Sequence, residues 1–115
     1  MQFSSGIQLS SITLCHFKSY AYKTSLPFND QFVCITGKNG CGKSALIDGI
    51  CCCLGVDKNR LRISNYSECI THLDNQIYDN CSIELAFEDS YEHRKVATLV
   101  FTVDSSGHSM YYLLQ

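Results

Sequence analysis

Residues 37 to 44 read Gly-Lys-Asn-Gly-Cys-Gly-Lys-Ser, which satisfies the phosphate-loop spacing G-x-x-x-x-G-K-[ST]. Glycines at 37, 40 and 42 leave room for backbone N–H groups to converge on phosphate oxygens, and a helix opening at Lys43 turns its positive dipole end toward the same point. Lys43 has the reach for the β and γ oxygens, and Ser44 is the expected Mg²⁺ ligand. Binding of ATP or GTP with Mg²⁺ is the chemistry this octet predicts, with Gly37, Asn39, Gly40, Cys41, Gly42, Lys43 and Ser44 around the phosphates. An accidental glycine-rich turn is the competing reading. It does not account for all eight positions lying between a strand and a helix.

Those flanking elements are legible in the pattern. Gln31 to Thr36 (QFVCIT) is a compact apolar strand, and from Lys43 to Leu54 the positions Leu46, Ile47, Ile50, Cys53 and Leu54 keep helical period. That helix is apolar on nearly every face, which predicts burial, and Gly55 stands as its C-terminal stop. Ile7 to His16 and Ala21 to Ser25 read as earlier strands. Beyond the helix, Asp57 to Arg62 reads as a basic loop and Ser67 to Leu73 as a short helix. Cys81 to Phe87, Val96 to Val103 and Ser109 to Leu114 read as strands, with Asp104 to Gly107 a hairpin turn between the last two. Small kinases and GTPases usually place the phosphate loop after their first strand and continue with strand-helix units. Here strand-rich sequence comes first and antiparallel strands follow. The predicted fold is therefore α/β, an ABC-type P-loop ATPase N-terminal lobe. It has a mixed sheet with an antiparallel part around one buried helix.

Composition sets the bounds. The chain has 115 residues, enough for one lobe spanning 1–115, and a single proline with no repeat or low-complexity run to divide it. Hydrophobic residues are 45% and charged residues 17%, below the usual share of about 25%, so disorder is excluded. A net charge of −2 gives no global field for nucleic acid, so any DNA contact must be local. The apolar run Ala45 to Val56 contains Asp48 and is too short to span a bilayer. Eight cysteines, three of them consecutive, fit reduced thiols better than a disulfide framework, and Cys51 to Cys53 read as small apolar fillers. Cys69-x-x-His72 with Cys81 lacks a fourth ligand at zinc spacing. His16, His93 and His108 have no adjacent nucleophile. Glu84, Glu88, Asp89 and Glu92 read as a solvated strand face and turn, and Tyr111 and Tyr112 as sheet-edge packing.

Phe17-Lys-Ser-Tyr20, Pro27-Phe28, the run from Phe32 through Asp48, then Ile50 to Gly55 and Leu61-Arg62 resemble, in order and spacing, the N-terminal head segment of structural maintenance of chromosomes (SMC) proteins. The likeness is to the eukaryotic cohesin and condensin subunits, and the Leu61-Arg62 spacing inclines it to the cohesin type. It covers Ile12 to about Ile70 well and the later strands loosely. The resemblance implies that Lys18 and Ser19 lie beside the nucleotide and that Arg62, with Lys43, acts on the phosphoryl oxygens. A guanidinium suits that task, and Lys58 and Arg60 would add positive potential. The family's head is built from both ends of a long chain. The resemblance thus implies that the coiled coil, hinge and C-terminal lobe are absent here and that ATP hydrolysis needs that lobe and a second SMC-type head. It implies DNA or chromatin as a partner through the full complex, no membrane, and a nuclear, chromosomal location with a cytoplasmic pool. A nucleotide kinase or GTPase, or a truncated interaction module without turnover, stays open as an alternative. Three positions depart from the family: Lys38 where proline is common, Cys41 where serine or threonine is usual, and Gly49 where alanine is common. The Cys41 thiol, in a helix N-terminal field near Lys43, has the setting that lowers a thiol pKa. Alkylation at Cys41 is therefore expected to slow when Mg-ATP is added; equal labelling with and without nucleotide, followed by peptide mass mapping, contradicts the expectation.

Overall fold

The computed structural model describes residues 6–28, 41–55, 58–61, 63–73 and 76–115, and of residues 41–44 and 60 the backbone alone. The expected strand at 31–36, together with Gly37, Asn39, Gly40 and Arg62, lies outside the described residues. Five strands form one antiparallel sheet. They are β1 (Ile7–Cys15), β2 (Thr24–Pro27), β5 (Asn80–Asp89), β6 (Lys95–Asp104) and β7 (Ser109–Leu114), in the order β2-β1-β5-β6-β7. Between β2 and β5 come the helix α1 (Cys41–Cys53), a one-turn helix α2 (Lys58–Leu61), a 3-10 turn (Tyr66–Cys69) and a small ribbon of β3 (His72–Leu73) and β4 (Gln76–Ile77). Among the described residues no helix is long and apolar enough to cross a membrane.

The period-2 alternation of the strands puts one residue set on a single face. Cross-strand register aligns Leu14, Ile83, Phe101 and Tyr111 in one row and Ile12, Leu85, Leu99 and Leu113 in the next. Ile12, Leu14, Ile83, Leu85 and Phe101 are fully buried there, while Thr13, Ser82 and Glu84 face the other way. Burying a side chain of this size stabilises by about 1.5–3 kcal/mol, so the rows hold the sheet to whatever covers them. The cover is α1. It offers Ala45, Leu46, Gly49, Cys52 and Cys53 to the sheet.

Several elements differ from the sequence reading. Helix α1 begins at Cys41, two residues before the expected Lys43, and its burial is one-sided: Ile47 is 48% and Leu54 49% exposed. The cause is geometric, since a helix resting on one sheet face buries one stripe, whatever the polarity of the rest. Strand β2 lies at Thr24–Pro27 rather than 21–25, because pairing with β1 places Leu26 opposite Ile12 at the core edge and leaves Tyr22 in solvent. The helix expected from Ser67 shortens to the 3-10 turn. Asn65 caps it with Glu68 completing a capping box, and then Ile70 bridges to Phe17 and the Thr71 N–H donates to the His16 carbonyl at 2.8 Å. Those pairings draw the backbone out of helical form. The basic loop at 57–62 contains α2, whose Lys58 lies 5.3 Å from the centre of the Tyr66 ring, within cation–π range. The 104–107 turn forms as expected, with the Gly107 N–H donating to the Asp104 carbonyl at 3.0 Å. At the end of α1, Gly55 takes φ +79 and stops the helix.

Gly49 decides how close α1 comes to the sheet. A Cβ built there would stand 2.8 Å from Leu14 Cδ2 and within 4 Å of Phe17 and Ile12. Alanine is favoured over glycine in a helix by about 1 kcal/mol, but overpacking a closed core costs roughly 1–3 kcal/mol, and Leu14 is fully buried. Gly49→Ala is expected to lower stability by about 1 kcal/mol in urea unfolding. Combined with Leu14→Val it should destabilise by less than the two single changes added together; strict additivity would mean that the contact carries no strain.

Candidate nucleotide site

Residues 41–44, the second half of the phosphate-loop pattern, form the first turn of α1, so their free backbone N–H groups point out of the helix start. That turn carries no acidic side chain. The first carboxylate along α1 is Asp48, four residues after Ser44 and so one turn further on the same face. A polyphosphate at the helix opening meets no opposing charge in the first turn. The fit to an anion is sound on that ground, and the side chains of Lys43 and Ser44 lie outside the described atoms.

Lys18 enters from a different element. After β1, the chain turns at Phe17–Tyr20, where the Phe17 N–H donates to the Tyr20 carbonyl at 3.0 Å and the Tyr20 N–H returns a bond to the Phe17 carbonyl at 2.8 Å. Phe17 is fully buried against Gly49, which pins the turn to the middle of α1. Lys18 has φ +48, a left-handed conformation that lysine adopts rarely. Its N–H donates to the Cys69 carbonyl at 2.7 Å, and the Thr71 hydroxyl, on a residue only 4% exposed, donates to its carbonyl at 2.8 Å. Its ammonium donates to Asp48 Oδ2 at 2.5 Å. The structure therefore brings Lys18 to Asp48, one turn beyond Ser44 on the same face of α1. Ser19 is exposed beside it and has no contact that singles it out.

Asp48 and Thr71 hold Lys18 in place, a role that no motif in the sequence assigns them. The signal for Asp48 was present, since it is the sole charge within the apolar stretch from Ala45 to Leu54. Thr71 had no such signal, because its role depends on the Ile70–Phe17 bridge. A cavity of about 350 Å³ is bounded by Ile70, Thr71, His72, Ile77 and Tyr78, among others, and by none of the α1 residues, so it adjoins the Lys18 anchor rather than the helix opening.

Beneath α1 the thiols are packing groups. Cys52, Cys53, Cys69 and Cys81 are buried, and the Cys53 thiol donates to the Ile83 carbonyl at 3.4 Å. The six described cysteines are free of disulfides. A hydrogen bond to Cys69 and burial both push the Cys52 thiol up. Burial pushes Cys53 and Cys81 up to about 12 from an ordinary 9.0. Tyr111, whose ring lies 4.6 Å from that of Phe101, donates its hydroxyl to the Cys52 carbonyl at 2.7 Å near the end of α1. Burial, with smaller contributions from neighbouring Tyr66 and the cysteines, pushes it up to about 12 from 10.0.

The antiparallel sheet, the helix on its face and the phosphate-loop pattern entering that helix define the N-terminal lobe of an ABC-type ATPase head. The chain belongs to the RecF/RecN/SMC N-terminal domain family, whose pattern matches residues 8–115. It is 34% identical over 99 residues to structural maintenance of chromosomes protein 2 of Homo sapiens, covering 84% of this chain and 8% of that protein. To the chromosome partition protein Smc of Methanococcus voltae it is 38% identical over 84 residues, 72% of this chain and 7% of the relative. A solved structure from work on ATP-driven dimerization and DNA-stimulated activation of SMC ATPases matches with TM-score 0.74 and 28% identity, covering 91% of this chain and 68% of that one. The Smc head domain of Pyrococcus furiosus, solved with an extended coiled coil and bound to the C-terminal domain of ScpA, shares the fold with TM-score 0.73 and 24% identity, covering 93% of this chain and 29% of that one. The chain spans less than a tenth of the length of the two curated relatives. The cohesin-type expectation rests on Leu61-Arg62 spacing, of which Arg62 lies outside the described residues.

The raised acids carry a pH consequence. In the unfolded chain the thiols ionise near 9.0 and the tyrosine near 10.0, whereas the folded groups hold their protons to about 12. Between those values the unfolded state binds fewer protons, so stability falls as pH rises. Urea midpoints are expected to be insensitive to these groups below pH 9 and to decline through the window from there toward 12; a flat profile would show that the thiols are not enclosed.

Proposed function

We propose that this chain binds Mg-ATP as the N-terminal part of a chromosome-organising ATPase head. The observation that carries the reading is the meeting of two elements on one helix: the phosphate-loop pattern runs into the start of α1, and the Lys18 turn delivers an ammonium to Asp48 on the face bearing Ser44. In this reading the amides of Gly37, Asn39, Gly40, Cys41 and Gly42 hold phosphate oxygens. Lys43 neutralises the β and γ oxygens, Ser44 holds the metal, and Lys18 and Ser19 flank the nucleotide. Arg62 approaches the phosphates from the segment after α2. Bound Mg²⁺ supplies further neutralisation of phosphoryl charge. Hydrolysis by in-line attack of water requires a general base and a metal carboxylate from a C-terminal lobe and a partner head. Exposed Ile47 and Leu54 on α1 and Leu113 on β7 give such a lobe apolar surface to cover. DNA or chromatin is then a partner through the assembled complex, and the working location is the chromosome, nuclear in a eukaryote. Residues 1–115 act as one lobe in this scheme.

The test is to mix the chain with a C-terminal head lobe of an SMC relative and measure phosphate release from ATP. Activity is expected for the mixture, and Lys43→Ala should reduce it by about a hundredfold or more, in the range found on removing one transition-state charge donor. Equal rates for the intact and Lys43→Ala mixtures would overturn the reading.

A further inference from the structure

Resting on the nucleotide reading, we infer that Asp48 is a positioning residue for Lys18: it holds the Lys18 ammonium on the Ser44 face of α1, ready for the phosphate tail of a bound nucleoside triphosphate. Three observations converge on it. Lys18 keeps a left-handed backbone with φ +48, a conformation that persists in a non-glycine residue only where its surroundings over-determine it. Every handle on this residue is taken: the N–H by Cys69, the carbonyl by Thr71 and the ammonium by Asp48. The side chains of the pair are 29% and 24% exposed, so the contact is largely shielded from water but still within reach of a ligand from solvent.

Gly49 makes the pairing reachable. Without a side chain beside Asp48, α1 sits close against Leu14 and Phe17, and the turn that follows Phe17 comes within one ion pair of the helix. Asp48 then serves Lys18 in two ways. A lysine chain left to itself samples many rotamers, and fixing one of them before the ligand arrives removes that entropic cost from binding. The carboxylate also compensates an ammonium that would otherwise lie partly desolvated with no partner. Its own charge stays about two turns away from the helix opening and is already neutralised by Lys18. Loss of orientation is therefore the dominant result of removing it.

The experiment is a titration of the chain with a fluorescent N-methylanthraniloyl-ATP in excess Mg²⁺, read by anisotropy, with melting temperatures recorded in parallel. Asp48→Asn is expected to weaken binding about tenfold, Asp48→Glu to recover most of that, and Lys18→Met to weaken binding at least as much as Asp48→Asn. The double variant Lys18→Met with Asp48→Asn should bind no more weakly than Lys18→Met alone, since Asp48 acts through Lys18. Unchanged or tighter binding by Asp48→Asn overturns the inference, the latter by showing that the carboxylate repels phosphate rather than serving it. Additive losses in the double variant overturn it too, because they mark a general defect in folding. If the intact chain and Lys43→Ala bind alike, the nucleotide reading falls and takes this inference with it. If Lys43→Ala abolishes binding while Asp48→Asn leaves it intact, this inference falls alone.

Discussion

The close seat of α1 on the sheet is the constraint on which the rest depends. One helix covers the rows headed by Leu14 and Ile12, and it can do so at short range because Gly49 presents hydrogen where any other residue presents carbon. Burial of Leu46, Cys52 and Cys53 against Ile83 and Phe101 then fixes the helix axis relative to the strands. With the axis fixed, the start of α1 lies where the phosphate-loop pattern delivers the chain. The start of the helix is thus positioned by packing that takes place between about one and three turns away from it.

That same seat controls the charges. Phe17 is buried under α1, and the backbone pairs that hold its turn leave Lys18 no freedom except in its side chain, which Asp48 takes up. A cation is thereby installed on a helix whose first turn carries no acid. The Lys18–Asp48 pair is internally neutral, so it adds no net negative charge to the helix in a chain whose net charge is −2. The buried cysteines Cys52, Cys53, Cys69 and Cys81 have no part in this chemistry. They fill space under the helix, and burial raises the pKa of Cys53 and Cys81.

The two edges of the sheet are built differently. At β2 a four-residue strand ends in Pro27, which cannot donate to a further strand, and Lys23 lies just before it. At β7 the strand is longer and uncharged, and Met110, Tyr112 and Leu114 are exposed on one face and Leu113 on the other. Among the described strands, β7 is therefore the outer strand with the more continuous exposed apolar surface. Such asymmetry agrees with the proposal that this is one lobe of a larger head, and with a chain that spans less than a tenth of its two curated relatives.

Sequence by itself determined the parts whose physics is local. The phosphate-loop octet was legible because its glycines and Lys43-Ser44 act through spacing along the chain. The period-2 and period-3.6 stretches named β1, β5, β6, β7 and α1 to within a few residues, since a strand or helix buries one face whatever it packs against. The resemblance from Phe17 to Arg62 singled out Lys18, which the sequence pattern alone does not. Only the tertiary structure decided the rest. It moved β2 by register with β1, cut the helix expected at Ser67 to a single 3-10 turn because Ile70 and Thr71 pair with Phe17 and His16, and exposed the outer face of α1. It also made Asp48 and Thr71 the partners of Lys18. Their meaning lies in partners 30 and 53 residues away, and no spacing rule along a chain encodes a contact that exists only once a sheet and a helix have met.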